Sequence, residues 1–539
     1  MVSSSFGLLQ PPPSAPTMHS TAETPILVGI GEINDRAAKG RDDAAEPLTL
    51  MLRAIGAAIR DTTLSPDAAQ KLQSAIESVS VVANWTWPYP DAPGLLVQRL
   101  GLPSAVHTVE SHHGGDSPGK LFDEAARQVA YKRSKVAVIT GAEALASLEA
   151  FKKAKRFPPP HWTKLDDHTS LWDRERPEDL GSRHFLGAPI QVYPLYEAAF
   201  RAHSKQTLLE NHRESAELYA EFAQVAAKLP ISWSYGQRPE TAESIGTVTK
   251  RNRMICSPYP LLMNAFNTVN LAAACIITTT TFARELGIPE SKWIYPLGGA
   301  GTSDSIRFWE RPYFHASRSL SQSLDAALKA TELQTEDIDL FDFYSCFPIV
   351  PKLAARHLGL PLHGVKPITV LGGLTSFGGA GNNYSMHAIA EIARQLRTRK
   401  QAVPKAQRGL VLANGGVLSY HYTVILSTQP RTDLDYPMWN PLPSHVDVEH
   451  PPIEERAEGV GVIETYTVQF GRDGSPVMGF VLGRLQGGSP NGTWSRFIAN
   501  VQDANTLQQL CSGTEQVGKL GWVCREGERN LFVYKEAKI

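Results

Sequence analysis

Cysteine is scarce in this chain, with only five among 539 residues. No two cysteines form a Cys-x-x-Cys pair, and none has a histidine at metal-ligand spacing, which argues against a zinc-binding module. The sequence therefore predicts reduced thiols in an intracellular compartment and no metal site. A disulfide between Cys511 and Cys524 is an alternative that the sequence leaves open.

The chain also lacks net charge and long apolar runs. Its 53 Lys and Arg residues balance 54 Asp and Glu residues, which argues against nucleic acid or an acidic membrane as a partner of the whole chain. The longest apolar candidate, Leu271 to Thr281, is shorter than the roughly 18 residues of a membrane span. Residues 1–22 lack a signal-peptide pattern and are rich in Ser, Pro and Thr, so we expect a disordered tail.

A glycine pair followed by a helix and a buried strand is the central pattern that is present. After Gly114-Gly115, Ser117 is expected to be a helix N-cap and Pro118 the first helical residue. The run Val136–Thr140 then predicts a strand that is covered on both faces. A helix that starts at glycines offers free backbone N–H groups to an anion or a carbonyl oxygen.

The same plan recurs later in the chain. Gly378-Gly379 opens a helical segment, and the strand Gly409–Ala413 follows it. Strand–helix alternation also precedes the first glycine pair, with a strand at Pro25–Gly31 and a helix at Glu46–Arg60. We therefore predict an α/β protein built from two similar halves.

Residues 150–254 break the alternation and are predicted to cover a site. They include a helical piece near Leu208–Ala227 and the cations Lys250, Arg251 and Arg253, which could hold a phosphate group. A solvated loop is the alternative interpretation of this short basic run.

Cys346 stands where a predicted strand, Ile338 to Phe343, meets a helix. A helix N-terminus lowers the pKa of a thiol, so Cys346 is a candidate nucleophile. The alternative is a buried structural cysteine.

The C-terminal part changes character. Residues 431–454 are rich in Pro and Asp and are expected to form a linker. Beyond them, short alternating strands with a hairpin signal at Arg472-Asp473-Gly474 predict a small β-barrel that is OB-like in size.

Five segments together resemble the thiolase superfamily: PILVGIGE, VITGAEAL, IDLFDFYSCFP, GGLTSFGGAGNNY and LVLANGGVL. The chain is most similar to sterol-carrier-type thiolases, and among them to thiolase-like proteins (type 1) with an additional C-terminal β domain. The resemblance implies a duplicated thiolase fold, two βαβαβαββ halves in a five-layer αβαβα arrangement, with a loop-domain insertion. The expected domains are a tail at 1–22, an N-terminal half at 23–149 and 255–300, a loop domain at 150–254, a C-terminal half at 301–430, a linker at 431–454 and a β domain at 455–539.

All four catalytic groups of the family are replaced. The nucleophilic cysteine aligns with Gly115 and the second cysteine with Ala413, while Tyr344 replaces an Asn or His and Gly379 replaces a His. Without a thiolate no acyl-enzyme forms by the usual route, so ordinary acetoacetyl-CoA thiolysis is not expected. The glycine turns that polarise a thioester carbonyl persist.

The resemblance places two groups of residues at the site. The candidates for chemistry are Tyr344, Cys346, His113, Asp116 and Ser117. The candidates for substrate binding are Gly115, Gly378, Gly379, Asn382, Asn383, Asn414, Gly415 and His421. Because adjacent side chains of an extended chain point apart, at most one of His112 and His113 is expected to serve the site.

Three functions are consistent with these residues, each with a coenzyme A thioester as substrate or ligand and no separate cofactor. The first is an acyltransferase-class acyl-CoA enzyme with relocated chemistry, at Cys346. The second is a retro-aldol C–C lyase on a 3-hydroxyacyl-CoA, with Tyr344 as acid/base. The third is a non-catalytic CoA-ester binder.

Location and assembly are expectations of the same kind. The C-terminal Ala537-Lys538-Ile539 is similar to the tripeptide that the peroxisomal import receptor binds, so we expect a peroxisomal protein, with the cytoplasm as the alternative. Thiolases usually dimerise through the first half, but an appended domain could cover that face, so both a homodimer and a monomer remain open.

Overall fold

The structure is a computed structural model, and it describes residues 22–167, 178–364, 366–432, 434–447, 449–485 and 494–534. The predicted tail, apart from its last residue, lies outside the described residues. The predicted import signal Ala537-Lys538-Ile539 also lies outside them.

The described residues form α-helices and β-strands in alternation, followed by a run of strands. The strands are β1 (Pro25–Asn34), β2 (Ile76–Val81), β3 (His107–Glu110), β4 (Val136–Ala144), β5 (Met254–Cys256), β6 (Tyr259–Pro260), β7 (Asn270–Thr279), β8 (Tyr295–Ser303), β9 (Leu340–Phe343), β10 (Arg408–Gly415), β11 (Tyr420–Ser427), β12 (Gly459–Phe470), β13 (Pro476–Leu485), β14 (Ser495–Val501), β15 (Leu520–Glu526) and β16 (Arg529–Val533). The helices are α1 (Pro47–Asp61), α2 (Pro66–Ser74), α3 (Ala92–Arg99), α4 (Ser117–Ala130), α5 (Leu145–Lys153), α6 (Leu180–Arg183), α7 (Pro189–His203), α8 (Leu208–Lys228), α9 (Ala242–Gly246), α10 (Thr280–Leu286), α11 (Arg318–Ala330), α12 (Ile349–His357), α13 (Tyr384–Ala402) and α14 (Ala504–Leu510).

Two sheets with the same strand order form the body, which confirms the predicted duplication. The first sheet has the order β1-β7-β4-β2-β3 and the second has the order β8-β11-β10-β9. In the first sheet, β7 is antiparallel to β1 and separates it from β4 and β2, which are parallel to each other. In the second sheet, β11 is antiparallel to β8 and separates it in the same way from the parallel strands β10 and β9. Within the described residues the second sheet has no strand that corresponds to β3, so the second half is one strand shorter than predicted.

The layers follow from which strands are buried on both faces. All nine residues of β4 are buried because helices cover both sides of its sheet. Helices α4 and α13 contact both sheets, while α1 contacts only the first and α11 only the second. The body is therefore the five-layer αβαβα stack that the resemblance implies.

One predicted domain boundary is wrong. The boundary between residues 300 and 301 would cut β8 (Tyr295–Ser303), which pairs along its length with β11 of the second half. The second half therefore begins near Tyr295. Strands β5 and β6, predicted within the first half, extend the C-terminal sheet through a pairing of Cys256 with Gln469 instead.

The C-terminal part is a closed five-stranded barrel, as predicted. Its strands follow the order β13-β14-β16-β15-β12, and β12 pairs with β13 to close the ring. No helix among the described residues is long and apolar enough to cross a membrane.

A buried arginine fixes the barrel on the body. Arg496 has no exposed side-chain surface, forms an ion pair with Glu464, and donates to the carbonyl oxygens of Trp309, Arg311 and Pro312. Because these carbonyls belong to the second half, one guanidinium group connects the barrel to it through three hydrogen bonds.

We expect Arg496→Ala to lower the free energy of unfolding by about 3 kcal/mol or more, because it leaves Glu464 and three carbonyl groups without their buried donor. Arg484→Ala is the matched control, since Arg484 pairs with the same Glu464 at 2.7 Å but is 46% exposed. Urea denaturation measures both. Equal losses, or a loss below about 1 kcal/mol for Arg496→Ala, would contradict the assignment.

Candidate functional site

Three turns meet at the N-terminus of α4. A Cβ atom placed on Gly115 would lie 2.3 Å from the carbonyl oxygen of Asn414 and 2.9 Å from two ring carbons of Tyr344. A Cβ on Gly415 would lie 2.8 Å from the amide nitrogen of Gly115. The ends of β9 and β10 therefore press directly on the glycine turn before α4, as the family resemblance implies for Gly115, Tyr344, Asn414 and Gly415.

The position of the family nucleophile has no room for a side chain. The ring of Tyr344 and the Asn414 carbonyl occupy the space that the cysteine side chain would fill at Gly115. Contacts below 3.0 Å to backbone oxygen are not relieved by a side-chain rotation, so one of the two turns would have to move. The packing around Gly115 therefore excludes a cysteine side chain at this position.

The position of the family histidine is filled in a similar way. A Cβ on Gly379 would lie 2.3 Å from the side-chain oxygen of Asn267 and 3.3 Å from the carbonyl oxygen of Phe266. The neighbouring Gly378 has φ +113°, which favours glycine, and Trp233, Val269 and Leu271 surround it. Gly378 and Gly379 hence form a wall of the site.

Tyr344 presents a protonated phenol. Burial, with nearby Cys346 and Asp116, raises its pKa well above the usual value of 10. Its backbone N–H donates to Leu412 (3.0 Å), and its ring meets Tyr384 edge to face at 5.5 Å. Tyr344 is therefore held firmly and stays a proton donor at neutral pH.

Cys346 does not have the lowered pKa that its sequence position predicted. Burial raises the pKa of its thiol to about 12, although the nearby hydroxyl of Tyr193 and the backbone N–H of Phe347 act in the opposite direction. Helix α12 begins only at Ile349, so its N-terminus does not activate the thiol. The thiol is therefore protonated at pH 7, which corresponds to the alternative of a buried structural cysteine.

The N-terminus of α4 differs by one residue from the prediction. Asp116, not Ser117, is at the N-cap position, and no side chain caps the helix. The hydroxyl of Ser117 donates to the carbonyl of His112 (3.0 Å) and is fully buried, so it is no nucleophile in this geometry. The carboxylate of Asp116 contacts Nε2 of His112 at 3.2 Å.

The glycine-asparagine turn joins the two halves. The amide nitrogen of Asn382 lies 2.7 Å from the carbonyl oxygen of Ala83 and 3.1 Å from Nδ1 of His113. The amide of Asn383 donates to the carbonyl of Gly141 at 2.8 Å, and its side-chain oxygen is buried without a partner among the described residues. Of the two adjacent histidines, His113 meets this turn and His112 meets Asp116.

Glu143, at the end of β4, was missed by the sequence analysis. It accepts hydrogen bonds from the backbone N–H groups of Trp85 and Thr86, and a Cβ on Gly381 would lie 2.1 Å from its carboxylate. Burial raises its pKa to about 7. The only sequence signal was a carboxylate at the end of a buried strand.

His421 lies on the wrong face for the site. Its Nδ1 is 2.9 Å from the hydroxyl of Ser319 in the outer helix α11, whereas its neighbour Tyr422 bonds Asp123 of the central helix α4. Successive residues of a strand point to opposite faces, so His421 faces away from the glycine turns. The prediction that it binds substrate is wrong.

A basic cavity of about 510 Å³ adjoins the Gly378-Gly379 wall. Its charged lining residues are Arg36, Lys39, Arg238 and Glu240. Its inner lining includes Trp233 and Phe266, and the carbonyl of Phe266 accepts from the N–H of Gly379 at 2.7 Å. Tyr219, also a lining residue, donates to the carbonyl of Ser345 beside Tyr344 (3.0 Å).

Lys250, Arg251 and Arg253 are not among the lining residues of the basic cavity, so their contact with a phosphate remains a prediction. The cations that do line it are missed because they come from separate segments, after β1 and after α8.

A second cavity, of about 530 Å³, has an acidic character. It is lined by His113 together with Glu110, Asp166 and Asp167 against a single cation, Lys164. His113 therefore stands between this acidic cavity and Asn382. No group of three metal-ligating side chains occurs within the described ranges.

We expect Gly115→Cys to lower stability by about 1–3 kcal/mol and not to restore thiolysis of acetoacetyl-CoA, because the new side chain meets Asn414 and Tyr344. Gly56→Ala is the control, since the nearest atom to its Cβ is a flexible Arg60 nitrogen at 3.4 Å. Thermal unfolding and a thiolysis assay measure the two effects. Restored thiolysis without destabilisation would refute the packing explanation.

The free energy of unfolding should fall between about pH 5 and pH 7 partly through Glu143. Its folded pKa is about 7, above the unfolded value of 4.5, so the unfolded state loses its proton first as the pH rises. The contribution is up to about 3 kcal/mol. Denaturant titrations should show that Glu143→Gln removes this fall and that Glu285→Gln, at an exposed position, does not. Identical pH slopes in all three proteins would contradict the assignment.

Comparison with known proteins agrees with this geometry. The family model described as thiolase-like protein type 1 additional C-terminal domain matches residues 441–528, and the thiolase C-terminal domain-like model matches residues 360–428. No curated protein sequence matches the chain.

Solved structures share the fold along most of the chain. A monomeric SCP2-thiolase-like protein type 1 from Mycobacterium smegmatis is 30% identical, with a TM-score of 0.77, and the match covers 95% of this chain and 99% of that one. The Ltp2-ChsH2(DUF35) aldolase is 18% identical, with a TM-score of 0.55, over 77% of this chain and 99% of that one. An acetyl-CoA acetyltransferase from Syntrophomonas wolfei is 13% identical, with a TM-score of 0.54, over 76% and 100%. The chain belongs to the SCP2-thiolase-like protein type 1 family.

Proposed function

We propose that this protein binds a coenzyme A thioester and cleaves a C–C bond in a 3-hydroxyacyl-CoA without an acyl-enzyme. The observation that carries the proposal is the contact of the Tyr344 ring with Gly115, which puts a phenol where the family has its nucleophilic thiol. A phenol whose pKa is raised transfers protons and does not accept acyl groups at neutral pH. Retro-aldol cleavage needs only proton transfers and a polarised thioester.

Covalent acyl transfer at Cys346 is disfavoured by the same geometry. The thiol is buried, its pKa is about 12, and its sulfur lies 3.9 Å from the amide nitrogen of Asn414. A nucleophilic cysteine needs a lowered pKa and access to the substrate, and Cys346 has neither. Relocated acyltransferase chemistry is thus the weaker alternative.

Each proton in the proposed reaction has a donor and an acceptor. The Asp116 carboxylate, adjacent to Gly115, takes the proton of the 3-hydroxyl group, and the C2–C3 bond breaks to release a ketone or aldehyde. The electron pair remains on the thioester as an enolate, and N–H groups at the start of α4 stabilise its oxygen. Tyr344 then protonates C2, and its phenolate regains the proton from Asp116 through solvent.

The basic cavity is the proposed place for the nucleotide end of coenzyme A. Arg36, Lys39 and Arg238 exceed its single carboxylate, Glu240, by two charges, which favours phosphate groups. Tyr219 links this cavity to the turn that carries Tyr344. The thioester would extend from the phosphates towards Gly115.

The Ltp2-ChsH2(DUF35) aldolase supports the reaction class by analogy, since an aldolase occurs on this fold. A non-catalytic CoA-ester binder is the second candidate. It is favoured because other side chains fill the space of two catalytic residues of the family. Tyr344 fills the space of the cysteine at Gly115, and Asn267 fills that of the histidine at Gly379. We also propose a peroxisomal location on the basis of the C-terminal Ala537-Lys538-Ile539.

Tyr344→Phe should abolish release of a ketone or aldehyde from 3-hydroxyacyl-CoA substrates while the Kd for CoA stays within about twofold, because only the hydroxyl is removed. Product analysis by mass spectrometry and calorimetric titration measure the two quantities. Tyr235→Phe, at an exposed position, is the control. Turnover that survives in Tyr344→Phe would exclude its role as the acid, and no turnover by the native protein on a broad panel would favour the binder.

Arg238→Ala should weaken CoA binding roughly 5- to 10-fold, the loss expected for one phosphate contact. The matched control is Arg213→Ala on the same segment of the loop domain, with a side chain that is 67% exposed and outside the cavity. Titration with CoA and with dephospho-CoA shows which phosphate is involved. An unchanged Kd in Arg238→Ala would remove the basic cavity from the proposal.

A further inference from the structure

A third cavity, of about 410 Å³, is apolar. It lies between the loop domain and the second half, and its apolar lining residues are Phe185, Leu186, Ile306, Phe308, Trp309 and Val417. Among the described residues that line the cavity, only Asp179 is charged, and it caps α6 by accepting a hydrogen bond from the N–H of Ser182 at 2.8 Å. The cavity thus has the size and lining of a site for a hydrocarbon group.

This apolar cavity adjoins the catalytic turns. Val417 follows Gly415 and Gly416 at the end of β10, the strand whose Asn414 carbonyl faces Gly115. The hydroxyl of Tyr193 donates to the carbonyl of Gly416 (3.0 Å) and accepts from the amide of Asn414 (3.0 Å). The same strand end therefore contributes Val417 to the cavity and Asn414 to the position at Gly115 where the reaction is proposed.

Two large apolar side chains at the cavity remain in contact with solvent. Ile306 is 68% exposed and Phe185 is 59% exposed. Phe185 also has φ +55°, a conformation that is unusual for a bulky residue. Phe185 is the left-handed residue that ends α6, where the N–H of Leu186 donates to the carbonyl of Gly181 at 2.9 Å, so the helix end places the aromatic ring at the mouth of the cavity.

The appended barrel supports this ring. The side chain of Gln191 donates to the carbonyl of Phe185 and to the side chain of Gln469 on β12, both at 3.0 Å. The guanidinium of Arg529 on β16 lies 5.1 Å from the centre of the Phe185 ring. Residues of the barrel therefore hold the outer wall of the cavity in place.

We propose that the apolar cavity holds the acyl chain of the coenzyme A thioester, and that the barrel is a positioning element for this chain. The inference rests on the proposed function, since it assigns the acyl part of the same ligand. It predicts that the acyl group is a hydrocarbon chain without charged substituents. Methylene groups occupy roughly 27 Å³ each in a packed interior, so about 410 Å³ has room for roughly 15 of them and accepts every chain length up to decanoyl.

The other two cavities fit this chain less well. The acidic cavity carries the carboxylates of Glu110, Asp166 and Asp167, and the basic cavity carries three cations. A hydrocarbon chain in either would desolvate charged groups without pairing them. The charges of the cavities thus assign the phosphate groups of the ligand to the basic cavity and its acyl chain to the apolar cavity.

The test is calorimetric titration of the full-length protein with CoA and with butyryl-, hexanoyl-, octanoyl- and decanoyl-CoA. These esters lack the 3-hydroxyl group and are inert in the proposed reaction. The Kd should fall roughly two- to fourfold for each added methylene. Ile306→Asp should reduce the affinity for decanoyl-CoA at least tenfold and leave the Kd for CoA unchanged.

Two further variants keep the test independent of folding. Phe185→Gly removes the ring and relieves the positive φ, so it should fold and should lose affinity for decanoyl-CoA only. Leu209→Asp, at a 75% exposed position on α8, is the control for a new surface carboxylate and should change neither Kd.

Each result separates the inference from the function on which it rests. If CoA and all four esters bind with the same Kd, the acyl cavity is overturned and the basic cavity is still supported. Chain-length dependence that Ile306→Asp and Phe185→Gly do not affect places the chain elsewhere and also overturns it. A third outcome is that the Kd depends on chain length in the native protein but not in the two variants, and that free CoA does not bind measurably. This outcome supports the acyl cavity and rejects the phosphate site. No binding of any ester rejects both.

Discussion

The close approach of the α4 N-terminus to the end of β10 is the contact on which the site depends. Gly115 and Gly415 have no side chains, so two turns from different halves meet at backbone distance. The duplication makes this possible, because both sheets pack on the same central helices and their strand ends open on one side. Tyr344 then fills the remaining space with a buried phenol that stays protonated at neutral pH.

Charge and polarity divide the surroundings of that contact into separate compartments. A basic cavity, an acidic cavity and an apolar cavity are all lined partly by segments of the loop domain. The barrel reaches the apolar cavity through Gln469 and Arg529, and Arg496 locks its position on the second half. The loop domain and the barrel therefore both contribute to the surroundings of the glycine turns in the duplicated body.

The fold was largely predictable from local pattern. The apolar runs of β1, β4 and β10 are continuous because both faces of their sheets are covered, and the glycine pairs mark where helices begin. The site was predictable only in part. His421 is next to Tyr422, which contacts α4, but a strand alternates its faces, and nothing in the sequence says which face of β11 meets α4. For Cys346, sequence showed the junction but not its burial.

The sequence by itself determined the duplicated α/β architecture, the barrel, and the absence of the family's cysteines and histidine, because periodicity, glycine positions and motifs are local properties. Only the tertiary structure decided that Tyr344 and Asn267 occupy the vacated positions, that the Cys346 thiol stays protonated, and that Arg36, Lys39 and Arg238 share one cavity. These facts depend on distances between segments that are remote in the chain. Burial and proximity, which set pKa values and cavity charge, arise only when those segments pack together.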